Sequence, residues 1–319
     1  MASVSHGSVL KRNSWLQAKK GSSADERTDP IGTAILQTLK YSDHFGFPLT
    51  LSEIHLRLYS SDPCSLERVI GTLRSMTQKH LLQKTGDFYH LPGRSSLVAR
   101  RLNRLKLSTP QLARARTLAL HLGHTPGVLA IYLTGSLAMS NSGKNSDIDF
   151  MVITQSSRLW TTRLLLTLYT SLLGLRRTPG STKNTGKLCL NLYLTPKTYH
   201  LPLTKQNLYT AYELVQTIPL YDPSGTHSSL LSANPWIRDL LPNFQLPVAI
   251  RSDLVGCKSN QKPTRSDLVG IIEYICYHFQ LAYMRPKLTR EHITPDSAFF
   301  HPHDPSPRGL SLKGIVSKV

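Results

Sequence analysis

The chain has 319 residues, which is enough for two or three domains with a real hydrophobic core. Its 38 Lys and Arg residues against 19 Asp and Glu residues give a net charge of +19, which favours an anionic partner such as a nucleotide or nucleic acid. The 4 cysteines lack CxxC pairing and metal-site spacing, and the polar N-terminus lacks the apolar core of a signal peptide, so we expect a cytoplasmic protein.

The first two segments differ in pattern. Residues 1–30 are rich in Ser, Lys, Gly and Asp without periodicity, which predicts a disordered basic tail. Residues 31–95 have helical spacing of apolar residues in three stretches and then a hairpin pattern, at 31–41, 51–58, 65–80 and 81–91. Three helices and a hairpin resemble a winged helix, whose third helix lies in the DNA major groove when the unit binds DNA. A structural or substrate-presenting role is the alternative.

A basic helical segment follows at residues 93–123. It has arginines and lysines among leucines and alanines and reads as one long helix or two. Pro110 after Ser108-Thr109 favours the start of a new helix there. The basic face could hold nucleotide phosphates or an RNA, or it could simply face solvent.

The most informative motif is Gly135-Ser136 followed, after ten residues, by Asp147-Ile148-Asp149. Apolar runs at 128–133 and 150–153 flank it, which predicts strand, glycine turn, short helix and second strand. Alternate residues share one face of a strand, so the two carboxylates point the same way and repel each other unless a cation lies between them. Mg²⁺ is the expected cation, because it prefers oxygen ligands and usually completes its shell with water and substrate phosphates.

This motif resembles the signature of the polymerase-β-like nucleotidyltransferase superfamily. The resemblance implies that Gly135 and Ser136 contact the triphosphate of a bound NTP, with ATP as the first candidate, and that Asp147 and Asp149 hold the metal ions. It also implies a third carboxylate on a later strand. Lys144, within the ten-residue gap, is predicted to contact a phosphate, and a freely solvated lysine is the alternative.

The third acid is not where the pattern places it. Residues 187–194 read as the later strand, with leucines on one face and Cys189, Asn191 and Tyr193 on the other. Asn191 therefore occupies the third catalytic position, and an amide cannot accept a proton as a base. Two carboxylates could suffice, Glu213 or Asp222 could substitute, or catalysis could be impaired. Cys189 is expected to behave as a small hydrophobe.

These observations predict an α+β chain with a nucleotidyltransferase-type mixed sheet. A winged-helix-like unit at 31–95 precedes a catalytic domain at 96–225, and a C-terminal helical region follows at 226–319 with a linker near 251–265. The most apolar stretch, 159–175, carries Arg163 and is short for a membrane span, so we expect it to pack on the sheet and expect no membrane partner.

The predicted function is Mg²⁺-dependent transfer of a nucleoside monophosphate from an NTP to a hydroxyl or amine on an unknown acceptor, which could be a small molecule, a protein or an RNA. One alternative is a catalytically impaired protein of this fold that acts as a winged-helix nucleic-acid-binding regulator. Another is the nucleotide-binding half of a two-protein assembly.

Overall fold

The computed structural model describes residues 29–177, 185–247, 268–288 and 291–300. Within these ranges the protein combines ten α-helices with a mixed sheet and a small antiparallel sheet, which confirms the predicted α+β class. The predicted linker near 251–265 lies outside the described residues, and so does the predicted tail apart from its last two residues, 29 and 30.

The N-terminal unit contains the three predicted helices and the predicted hairpin. In chain order its elements are α1 (Pro30–His44), β1 (Leu49–Thr50), α2 (Leu51–Leu56), α3 (Leu66–Gln78), β2 (Gln83–Thr85) and β3 (Phe88–His90). The strands form an antiparallel sheet in the order β1-β3-β2, in which the two-residue β1 was not predicted. Thr50 and Glu53 form a capping box that starts α2, because each satisfies a backbone N–H that the helix leaves unpaired.

One helix, α4 (Ser96–Gly123), connects this unit to the larger sheet. The prediction of a new helix at Pro110 was wrong, because α4 runs continuously through the proline. Both ends are held by tertiary packing, with Val98 buried near the start and Ala115 and Ala119 buried against the sheet. Such packing outweighs the hydrogen bond that a proline removes.

The larger sheet has six strands in the order β7-β4-β5-β6-β9-β8, and β5 and β6 are its one parallel pair among the described residues. Strands β7, β8 and β9 were not predicted. The elements are β4 (Val128–Leu133), α5 (Gly135–Ala138), β5 (Ile148–Thr154), α6 (Leu159–Leu172), β6 (Leu188–Leu194), α7 (Leu208–Gln216), β7 (Ile218–Tyr221), α8 (Thr226–Ser232), α9 (Ile237–Leu240), α10 (Leu268–Met284), β8 (His292–Ile293) and β9 (Ser297–Phe299).

Helices cover both faces of this sheet. The rear face, with Phe150 and Val152, packs against α4 and α6, and α10 packs on α6. The front face, with Met151 and Ile153, packs against α7, α8 and α9 and against Tyr41 of α1. Because alternate residues of β5 share a face, Asp149 belongs to the front face, toward α7 and the N-terminal unit.

A bulge in β6 overturns the predicted alternation of that strand. Leu190 pairs with Phe150, but Leu192 pairs with the next residue, Met151, so Asn191 is the extra residue. Leu190 consequently packs on the rear face and Leu192 on the front face, whereas the sequence prediction placed all leucines together. Bulges redirect side chains and are frequent beside functional sites.

The region after residue 225 is partly helical, as predicted. α9 is a single turn, and α10 buries a polar face in which Glu273 accepts hydrogen bonds from the backbone N–H groups of Trp160 and Thr161 at the start of α6. As predicted, the apolar stretch that begins at residue 159 forms a helix on the sheet, and this helix ends at Leu172. None of the helices in the described ranges is long and apolar enough to cross a membrane.

Candidate functional site

The fold brings the two predicted carboxylates together at the N-terminal end of β5. Asp147 directly precedes the strand and Asp149 is its second residue. One carboxylate oxygen of each and the sulfur of Cys189, opposite Asp149 on β6, all lie within 4.8 Å of one another. These three side chains could hold a metal ion. The prediction that Cys189 is simply a small hydrophobe was wrong, because its thiol faces the carboxylates.

Gly135 contacts this group with its backbone. Its φ is +66°, in the left-handed region that favours glycine, and a Cβ at this position would lie 2.5 Å from Oδ2 of Asp149. Both facts require glycine. The turn after β4 therefore carries the chain directly across the Asp149 carboxylate, as a backbone that approaches a ligand or metal site must do.

The surroundings of Asp149 oppose its ionisation. Burial and, secondarily, the negative charge of Asp147 raise the pKa of Asp149 to about 7, although a hydrogen bond from the Cys189 thiol lowers it. Burial, together with the two carboxylates, raises the pKa of Cys189 to about 12. The cysteine therefore stays a neutral thiol near pH 7. The raised pKa of Asp149 shows that the positive charge around the acidic pair is too small to offset burial and the repulsion between the two carboxylates.

Arg177 supplies part of that charge. Its Nη1 lies 2.6 Å from Oδ2 of Asp147 in a half-exposed salt bridge. Its backbone N–H donates to the carbonyl of Leu188, which fixes the residue next to the start of β6. The guanidinium of Arg177 therefore lies against the acidic pair.

Asn191 contacts the site through one end of its amide. Its Nδ2 donates to Oδ1 of Asp149 at 3.0 Å, whereas its own Oδ1 is buried and accepts no hydrogen bond among the described residues. A buried carbonyl without a donor is costly, and a cation is one partner that would satisfy it. The predicted third position thus lies beside Asp149.

The two alternative acids fall in different places. Glu213 on α7 lies close enough to Asp149 for the two charges to interact, and burial followed by that repulsion raises the pKa of Glu213 to about 7. Tyr209, one turn earlier on α7, forms a hydrogen bond with Glu213. Asp222, by contrast, accepts hydrogen bonds from the N–H groups of Thr226 and His227 and so caps α8. Of the two, only Glu213 lies at the site.

The remaining predicted site residues are exposed. Ser136 lies beside Gly135, and its hydroxyl forms no hydrogen bond with the described part of the chain. Lys144 projects from the loop before Asp147 and contacts no acid in the resolved ranges, which agrees with the solvated alternative. The loop itself is held to α4, since Gln111 bonds to both Ser142 and Gly143.

A cavity of about 190 Å³ opens beside Gly135 and Ser136, between the N-terminal unit and the front face of the sheet. Its lining is mostly aromatic and apolar and includes Glu213 and Arg57. The N-terminal unit, for which a substrate-presenting role was one interpretation, lines this cavity through residues such as Arg57. The sequence did not identify Arg57 itself, because it is far from the motif in the chain and no local pattern marks it.

Two arginines of the basic helix α4 hold the structure together, whereas Lys106, Arg114 and Arg116 are exposed, as in the solvent-facing alternative. Arg101 forms a bidentate salt bridge with Glu53, at 2.8 and 2.7 Å, and stacks on Phe47 with 4.0 Å between guanidinium carbon and ring centre. Arg104 donates to the Asn141 side chain at 3.0 Å. These arginines tie the N-terminal unit and the motif loop to α4, and they do not form a free phosphate-binding face.

The donor set fits a hard divalent cation. The carboxylates of Asp147 and Asp149 and the unsatisfied carbonyl of Asn191 are oxygen ligands of the kind that Mg²⁺ prefers. Cys189 lies in the same cluster, but thiol sulfur is a soft ligand, so with Mg²⁺ bound it would stay outside the oxygen shell. A metal at this site would compete with Arg177 for Asp147.

Comparison with known proteins adds no family assignment. No protein-family model matches the chain. No curated protein matches it either. The resemblance to nucleotidyltransferases therefore rests on the motif residues and on the geometry around them.

Proposed function

We propose that the protein is a nucleotidyltransferase that moves a nucleoside monophosphate from an NTP, with ATP as the first candidate, to an acceptor hydroxyl or amine. The observation that carries the proposal is the contact of Gly135 with Asp149, at which a Cβ would lie 2.5 Å from the carboxylate. A glycine turn pressed against an acidic pair is what binding of a triphosphate and its cation requires.

Asp147 and Asp149 would hold the cation, with the Asn191 carbonyl as a further oxygen donor. When bound, Mg²⁺ neutralises phosphate charge and orients the phosphates for in-line attack. The exposed hydroxyl of Ser136 and the N–H groups that begin α5 would donate to the triphosphate oxygens. Arg177, released from Asp147, would pair with a phosphate, since a guanidinium forms bidentate bonds to phosphate oxygens.

The transfer would exchange one bond at the α-phosphorus for another. The acceptor oxygen or nitrogen forms a bond to the α-phosphorus, and the bond from that phosphorus to the bridging oxygen of the β-phosphate breaks. The electron pair leaves on pyrophosphate, and the proton of the acceptor passes to a carboxylate. Asn191 cannot take that proton. Glu213 can, because it is a carboxylate next to Asp149 that lines the adjoining cavity.

The test is incubation of the protein with labelled ATP, CTP, GTP and UTP, Mg²⁺ and cell extract, with mass detection of the modified product. We expect Asp149→Ala to abolish Mg²⁺-dependent turnover while the protein stays folded. Asp239→Ala, at an exposed position on α9, is the matched control and should keep full turnover. Turnover that persists in Asp149→Ala would place the chemistry elsewhere.

A nucleic-acid-binding regulator of the same fold is the second candidate, and one observation favours it. Three polar residues of α3, Arg68, Arg74 and Gln78, are exposed, as is Lys79 directly after the helix, and exposed basic and amide side chains are what a DNA-recognition helix carries. Salt-dependent DNA binding that survives loss of both Asp147 and Asp149, and disappears when Arg68 and Arg74 become Ala, would support this alternative. DNA binding that none of these changes affects would argue against it.

A further inference from the structure

The cavity beside Gly135 has aromatic walls that come from both parts of the chain. Phe45 and Phe47 belong to the N-terminal unit, and Tyr41 of α1 stacks on Tyr212 of α7 with ring centres 4.5 Å apart and 13° between planes. The volume of about 190 Å³ exceeds the roughly 150 Å³ that holds a single benzene ring in an engineered cavity. The space therefore suits a small planar molecule.

Arg57 adds one positive charge to this lining. Its side chain forms no hydrogen bond or salt bridge with any residue in the described ranges. The carboxylate that acts on it is Glu53, which already gives both of its oxygens to Arg101 and one of them to the backbone N–H of Thr50. The guanidinium donors of Arg57 are thus left for a ligand, and burial makes an anionic ligand the favourable one.

The cavity also reaches the site proposed for catalysis. Gly135, Ser136 and Glu213 line it together with Arg57. Glu213 interacts with Asp149 and hydrogen bonds with Tyr209, another residue of the lining. A molecule in the cavity therefore has an anion-binding group, aromatic surfaces and a carboxylate beside the acidic pair.

We propose that this cavity is the acceptor site, and that the acceptor is a small organic anion with a planar, largely apolar body and a hydroxyl group. Arg57 pairs with the anionic group, the aromatic rings contact the body, and Glu213 accepts a hydrogen bond from the hydroxyl. The assignment as acceptor rests on the proposed function. In the transfer that hydroxyl oxygen bonds to the α-phosphorus, pyrophosphate leaves, and the hydroxyl proton goes to Glu213.

The binding step can be tested without catalysis, by calorimetric titration of the full chain with para-hydroxybenzoate. Its neutral isostere para-hydroxybenzamide reports on the role of charge. We expect saturable binding of the benzoate, weakened roughly tenfold or more in Arg57→Gln, because a charge-assisted hydrogen bond is lost. The benzamide should bind both proteins equally. Arg74→Gln, an exposed arginine on α3, should bind the benzoate like the wild type.

Two further variants keep the result decisive. Arg57→Lys retains the charge and should retain most of the benzoate affinity. Normal benzamide binding by Arg57→Gln excludes misfolding as the cause of its loss of benzoate affinity. Asp149→Asn should still bind the benzoate, so a failure of nucleotidyl transfer alone leaves the binding result standing. The proposal is overturned if the benzoate does not bind saturably, or if it binds Arg57→Gln as tightly as the wild type. It is also overturned if Arg57→Gln weakens ATP binding instead, because the cavity would then hold the nucleobase.

Discussion

Replacing Asp149 by Asn should stabilise the metal-free protein, because the wild-type carboxylate is held where its charge is unfavourable. Burial and the charge of Asp147 raise the pKa of Asp149 from 3.8 to about 7. An acid whose pKa is higher in the folded than in the unfolded state does not destabilise the protein at a pH below its pKa in the unfolded state. The loss of stability grows as the pH rises from the pKa of the unfolded state to the pKa of the folded state, and it is complete above the pKa of the folded state.

The size of the penalty follows from the two pKa values. The difference between 3.8 and about 7, at about 1.36 kcal/mol for each pKa unit, corresponds to about 4 kcal/mol as an upper bound at alkaline pH. Relaxation and water access reduce this, so we expect Asp149→Asn to gain about 1–3 kcal/mol in the free energy of unfolding at about pH 8. The asparagine can still accept the hydrogen bond from Asn191.

Urea unfolding in EDTA at about pH 5 and about pH 8 measures this effect. The wild type should lose stability between the two pH values, and Asp149→Asn should lose less. Some loss should remain, because the pKa of Glu213 is also raised to about 7. Asp239→Asn, on exposed α9, should follow the wild type. Mg²⁺ should stabilise the wild type but not Asp149→Asn. Parallel pH curves for wild type and Asp149→Asn would refute the reasoning.

Three other changes probe the same site. Gly135→Ala should lower the free energy of unfolding by about 1–2 kcal/mol through its positive φ, and it should also weaken Mg²⁺ binding because the new methyl group meets Asp149. Gly86→Ala is the control, because Gly86 has a φ of +57° but open space around it, and calorimetry should show normal Mg²⁺ affinity in this variant. Normal Mg²⁺ affinity in Gly135→Ala as well would contradict the close approach of Gly135 to the Asp149 carboxylate. Arg177→Gln should bind Mg²⁺ about two- to fivefold more tightly, because it removes a competing cation whose half-exposed ion pair contributes at most about 1 kcal/mol. Weaker Mg²⁺ binding in titrations would show that the two cations do not compete. Asn191→Asp should unfold at lower urea concentration in EDTA at alkaline pH, since it places a third buried acid beside the pair, and it should regain stability with Mg²⁺. No response of its stability to Mg²⁺ would exclude Asn191 from the ligand set.

Local sequence determined the elements and the identity of the acidic pair. Asp147 and Asp149 were assigned to one site because a strand repeats every two residues, and the flanking apolar runs identified the strand. The N-terminal helices were predicted for the same reason, since capping residues and helical periodicity act within a few residues. Short strands such as β8 and β9 escaped, because two or three residues carry no periodic signal.

Tertiary structure decided what surrounds that pair. The bulge in β6, which places Leu192 on the front face and Tyr193 on the rear face, arises from pairing between strands and leaves no mark in β6 itself. Arg57 and Glu213 meet in one cavity only because the N-terminal unit packs on the front face of the sheet. Contacts between residues distant in the chain depend on the packing of whole elements, and the raised pKa of Asp149 is a product of that packing, because burial sets it.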